Sequence, residues 1–226
     1  MIKIEKTDVY GWETAIRGMR NPMNSWSKSD SCWTVMNPND VELGCEPNYE
    51  YVVGENDLKL MKSLSKAGSD HGKFLRMINV TCDITAPLYW WKEFDTYKVG
   101  TVANSCSTMH KIHSKGFGRE DFSIEHVHNF EEHHWMVCMD NIISALNVAR
   151  VRFLETNDKK YWWQMIQLLP SSYNQKRTVQ LNYQVLKSMY FARRNHKLDE
   201  WHDFCAWCET LPYFEEICIQ EGDTSG

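Results

Sequence analysis

Apolar and polar residues alternate through residues 1–9 (MIKIEKTDV), the two-residue period of a strand with one wet face, and predict an edge strand. Residues 10–20 predict a short helix. Residues 21–50 gather Asn, Pro, Ser, Asp and Gly and predict a long loop, of a length that compact domains tend to reserve for function. Asn56 and Asp57 are cap-type residues for a helix running to Ala67, with Gly68 as its stop. Residues 74–85 (FLRMINVTCDIT) are rich in apolar and β-branched side chains and predict a buried strand. Pro87 then suits the first turn of the helix PLYWWKEFDTYK.

Residues 99–110 predict a loop of small polar residues, and the charged residues 113–122 a surface excursion. From 123 to 155 the pattern is helical with a break near His128, because Trp135, Cys138, Met139, Ile142, Leu146 and Ala149 recur at three- and four-residue steps. Further helices span 159–168, ending before Pro170, then 182–194 and 198–211. Residues 171–181 stay undecided, and 221–226 predict a frayed end. The sum is mixed α and β, dominated by helices.

Composition narrows the classes. At 226 residues, with 42% hydrophobic and 24% charged, the chain is an ordinary globular one, neither disordered nor fibrous. No apolar run reaches the roughly 18 residues of a membrane span, and the charged N-terminus lacks a signal-peptide core. A cytoplasmic location follows as the default, with eight reduced cysteines rather than a disulfide framework. A net charge of −5 argues against bulk attraction to nucleic acid or an anionic membrane. Ten Trp, ten Tyr and nine Phe suit a core, an interface or a flat pocket for a planar ring, and core is the commonest use. No Gly-rich strand–turn–helix fingerprint of a dinucleotide or P-loop site is present.

Four groups could carry chemistry. His126, His128, His133, His134 and Cys138 include a His–Cys pair four apart on one helical face, a zinc-ligand spacing, although EHVHNFEEHH also reads as a solvated helix start. Cys205 and Cys208 form a C-x-x-C pair, but in mid-helix, where two buried small hydrophobes is the plainer reading. Lys176, Arg177, Arg193, Arg194 and Lys197 offer phosphate-binding cations or a solvated face. The segment 96–108 (TYKVGTVANSCST) carries small hydroxyl and amide groups that bind phosphate or orient a ring, or make an ordinary loop.

The order and spacing of several short motifs change the picture. His71 and Phe74 are followed by Thr96-Tyr97-Lys98, Thr101, Asn104 and Ser107. Farther on stand Leu169-Pro170, Asn182-Tyr183-Gln184-Val185-Leu186, Arg193 and residues 196–200 (HKLDE). In these respects residues 54–210 resemble the flavin-dependent thymidylate synthases, the ThyX-like family, whose signature has the form R-H-R-x-x-S-x-N-E-x-S-x-R-Y. The resemblance implies an α+β fold, a central sheet flanked by helices, in a single domain over residues 1–226. It also implies FAD, a dUMP-like nucleotide, a folate one-carbon donor and NADPH, and a homotetramer with sites between subunits. It assigns His71, Lys98, Asn104, Asn182 and His196 to cofactor binding. Thr101, Ser105, Ser107 and Arg193 fall to the substrate, with Arg193 also the catalytic candidate near the pyrimidine.

The departures are mainly losses of cations. Of the triplet only Lys98 is charged; the family Glu, Arg and Tyr fall on Ser105, Met109 and His110, and the N-x-R arginine is Gln184. A charge-assisted hydrogen bond contributes about 1.5–3 kcal/mol, so each loss weakens a phosphate ligand roughly tenfold or more. Three readings therefore stand: a divergent pyrimidine nucleotide methylase, the same fold kept as a nucleotide-binding module, and a zinc protein built on the His126–Cys138 group.

Overall fold

A computed structural model describes residues 2–36 and 48–219. In chain order its strands are β1 (Lys3–Tyr10), β2 (Cys32–Val35), β3 (Tyr49–Val52), β4 (Asn79–Pro87), β5 (Val102–Ser105) and β6 (Asn174–Asn182). Its α-helices are α1 (Trp12–Arg20), α2 (Glu55–Lys66), α3 (Leu88–Phe94), α4 (Thr108–Lys111), α5 (Trp135–Thr156), α6 (Lys159–Leu168), α7 (Tyr183–Arg193), α8 (Asp199–Glu209) and α9 (Phe214–Cys218). Four strands pair antiparallel in the order β1-β4-β6-β5, and β2 and β3 form a separate pair. This is the expected α+β architecture, a sheet with helices around it.

The alternating N-terminus is an edge strand, broken by a bulge between Glu5 and Asp8 where Lys6 adopts φ 53°. β4 is buried along most of its length: β1 and β6 pair with both of its edges, and Val80, Cys82, Ile84 and Ala86 pack into the core. Helix α2 starts differently from expectation. Gly54 is its N-cap, and the Asp30 carboxylate accepts the Asn56 and Asp57 N–H groups at 2.9 and 3.2 Å, so a distant residue does the capping. Gly68, at φ 103°, lies just beyond the end of α2, as its sequence position predicts.

Three segments depart from the sequence pattern. Residues 174–182, undecided in sequence as far as 181, form the strand that joins β4 to β5. The segment 99–110 is not all loop, since it contains β5 and α4. Residues 123–134 are not helical: a tight turn closes between Phe130 and His133, with Glu131 at φ 50°, and the helix starts only at Trp135. The loop expected over 21–50 holds two short 3-10 turns, β2 and the start of β3, while residues 37–47 lie outside the described residues, as do 221–226.

Two interiors result. The larger packs the sheet against α1, α3, α7, α8 and α9, with Trp90, Trp91, Phe94, Trp201 and Phe204 in mutual ring contact. The smaller lies under α5 and α6 and contains Phe117, Phe122, Met139, Leu146 and Met165. Among the described residues no helix is long and apolar enough to cross a membrane, and the seven described cysteines are free thiols.

Candidate functional site

The segment after α3 and the start of α7 converge on a pocket of about 580 Å³. Thr96, Tyr97, Lys98, Val99 and Gly100 form one wall; Asn182, Gln184, Val185 and Ser188 form the other, and Arg76 reaches it from the 3-10 turn before β4. The volume is that of an ordinary small-molecule site. Among the described residues no carboxylate lines it, and neither Arg76 nor Lys98 makes an ion pair. Asn182 caps α7, its Oδ1 accepting the Val185 N–H at 3.1 Å, which leaves its Nδ2 as a donor. Two cations beside a helix N-terminus make a positive potential suited to a phosphate-bearing ligand. The neighbouring Thr101 Oγ1 is buried with no hydrogen-bond partner, a polar atom that a ligand oxygen would satisfy.

Gly100 closes this wall at φ 77°, where a Cβ would meet Asn182 Nδ2 at 2.9 Å and Val185 Cγ2 at 3.0 Å. Gly100→Ala is expected to cost about 1–2 kcal/mol and to lower the melting temperature by a few degrees, by roughly the penalty of the left-handed backbone. Calorimetry of the variant measures this, and an unchanged melting temperature would show that the loop yields freely.

The sequence candidates divide. Lys98 and Asn182 meet in the pocket, with Thr101 adjoining it. His71 lies exposed at the N-terminus of the Gly72–Arg76 turn. Asn104 and Ser105 are exposed on β5, opposite Thr178 and Arg177. Ser107 caps α4, accepting the His110 N–H at 3.0 Å, and lines a second cleft of about 450 Å³ with Thr108, Lys111, Lys115 and Lys176. There Lys115 pairs with Asp121, and Lys176 with Asp83 at 3.0 Å. Arg193 donates from Nη1 to Glu93 Oε2 at 2.8 Å and from Nε to the Tyr97 hydroxyl at 2.9 Å, with its guanidinium over the Trp201 ring at 4.9 Å. The same Glu93 oxygen accepts the Trp201 indole N–H at 2.9 Å and lies 3.3 Å from His196 Nε2. Arg193 and His196 thus belong to one internal network.

The other constellations resolve structurally. Among the described residues no three or more His, Cys, Asp or Glu are placed to hold a metal ion. His126 instead meets Asp199 at 2.9 Å, and His133 stacks on Trp135. Cys205 and Cys208 are buried on α8; burial pushes the Cys205 thiol up to about 11, so neither forms a ready thiolate. The basic stretch is not one patch: Arg177 pairs with Asp95 at 2.7 Å and lies over Trp91 at 4.1 Å, on a different element from Arg193. Sequence reasoning missed Arg76, which stood inside an apparent buried strand. Its signal is a cation in a segment where Phe74, Leu75 and Ile78 turn inward.

The architecture is shared with a known class of enzyme structures, the flavin-dependent thymidylate synthases. Two crystal structures of thymidylate synthase X (ThyX) from Helicobacter pylori, both described as complexes with FAD and dUMP, superpose with a TM-score of 0.67 at 15% sequence identity. One alignment covers 98% of this chain and 98% of the other; the second covers 97% and 98%. At that identity the likeness establishes the fold. No protein-family model matches the chain, and no curated protein sequence matches it.

Proposed function

We propose that the chain is a flavin-dependent thymidylate synthase-like protein, one ThyX-like domain that holds FAD and a dUMP-type nucleotide and reductively methylates the pyrimidine with a folate one-carbon donor and NADPH. The observation that carries this reading is the carboxylate-free pocket where Arg76 and Lys98 flank the start of α7, within a fold that matches ThyX along its whole length. These residues fit a phosphate-bearing flavin, which when bound supplies hydride transfer. Arg76 and Lys98 hold the phosphates, the Asn182 amide donates to a ring or ribityl oxygen, and Gln184 occupies the position of the missing arginine. Arg76 then compensates for the cation lost at Gln184, since both line the same pocket.

A second reading is favoured by Arg193. Its commitment to Glu93 and Tyr97 leaves the pyrimidine without its expected activating cation, which suits a nucleotide-binding module that no longer methylates. The homotetramer belongs to the same proposal and draws support from the exposed apolar side chains of α5 and α6, among them Val148, Val151, Leu154 and Trp163. The reading places the protein in the cytoplasm.

The test is the visible absorption spectrum of purified protein, before and after addition of FAD and then dUMP. A co-eluting flavin band that shifts with dUMP supports both readings, and deoxythymidylate formation in a methylation assay separates them. No flavin retained at high added FAD ends both.

A further inference from the structure

A cleft of about 730 Å³ shares no residue with the pocket above. It lies between the end of β1, the first turn of α1, the β2–β3 pair and the turn leading into α9. Its walls are aromatic, and three of the rings stand open to solvent: Trp33 at 57%, Tyr49 at 56% and Tyr10 at 45% exposure. Among the described residues its charged lining residues are Asp8, Glu13 and Glu50, and no Lys, Arg or His lines it. The nearest cation along α1, Arg17, lines an adjoining hollow instead. None of the three carboxylates makes an ion pair among the described residues, although Glu13 accepts the Trp33 indole N–H at 3.4 Å.

The backbone around this cleft is held in uncommon conformations. The β1 bulge sets Thr7 and Asp8 at the rim. Tyr213 sits at φ 56°, a strained conformation for a bulky residue, with its ring 5.4 Å from that of Trp12 and its hydroxyl accepting the Val53 N–H at 3.4 Å. Bulges and left-handed aromatic residues concentrate at binding sites because packing elsewhere must hold them in place.

We propose that this cleft binds a linear alkylammonium cation of the polyamine type, its methylenes against the rings and its ammonium groups on the carboxylates. Ring faces attract ammonium through the aromatic quadrupole, and the unpaired carboxylates supply the counter-charge. The aromatic lining selects against a bare metal ion, which needs converging oxygens and gains nothing from rings. The Tyr51 hydroxyl is consistent with this field, since burial and then the charges of Asp57 and Glu13 raise its pKa.

The test is titration of the full chain with spermidine at constant ionic strength, followed by tryptophan fluorescence and by calorimetry. Saturable one-site binding is expected. Glu13→Gln/Glu50→Gln and, separately, Trp33→Ala should each weaken it about tenfold, with circular dichroism unchanged because these side chains are exposed. A non-saturable response overturns the proposal. So do full affinity in both variants and equal binding of magnesium ion. Flavin retention, measured in the same variants, is expected to be unaffected, which keeps this outcome separate from the flavoprotein reading.

Discussion

Asp57→Ala is expected to lower the melting temperature by about 10 °C. Asp57 is fully buried and Arg20 nearly so, and they pair at 2.6 Å through Arg20 Nε. The second Asp57 oxygen accepts the Ser29 and Ser31 hydroxyls at 2.6 and 2.7 Å and the Asp30 and Ser31 N–H groups. One carboxylate thereby ties α1, the segment before β2, and α2 together. Removing it leaves a guanidinium buried without its counter-ion, a loss of about 3–5 kcal/mol. Burial alone would raise this carboxyl, but the Ser29, Ser31 and Arg20 hydrogen bonds and the Arg20 charge outweigh it and hold it below its usual 3.8. Its contribution is therefore complete above that value and is lost as pH falls through the lower folded one. Thermal melts across acid pH should show the wild type losing its advantage over the variant there, and equal melting temperatures at neutral pH would refute the account.

The second large effect is on ligand. Arg76→Ala and Lys98→Ala are each expected to weaken FAD about tenfold, and the double variant about a hundredfold, because each removes one charge-assisted contact to phosphate. Both side chains are exposed and free of ion pairs, so the melting temperature should stay within about one degree. Fluorescence quenching of FAD on titration measures the affinity directly. A double variant with wild-type affinity would place the phosphates elsewhere, with the cleft holding Ser107 and Lys111 the next to examine.

Most helix spans were legible from apolar residues at three- and four-residue steps and β4 from its apolar, β-branched run, although the helix expected from 123 starts only at Trp135 and the strand expected from 74 only at Asn79. β6 was not, for a specific reason. On its inward-facing alternation Val179 and Leu181 are joined by Gln175 and Arg177, whose polarity hides the period. The fold accommodates them through Trp91: its indole donates to the Gln175 carbonyl, and the Arg177 guanidinium sits over its ring at 4.1 Å. The capping of α2 by Asp30 was equally hidden, since nothing local announces a partner more than twenty residues away. At the candidate site the motif order singled out Lys98 and Asn182, and the structure brings 96–100 and 182–188 together around one pocket. It could not register that Arg193 is engaged by Glu93, because such pairing depends on tertiary placement alone.

The division into two interiors has a consequence for motion. Helices α5 and α6 pack chiefly on each other, over their own small cluster. Such a unit opens by a local reaction whose free energy is smaller than that of the whole chain. Amide protons of α5 and α6 are therefore traded with water on a schedule of their own, while those of β4 and β6 wait for global opening. The same pair carries the exposed Val148, Val151, Leu154 and Trp163, so a unit that opens on its own also gains from being covered.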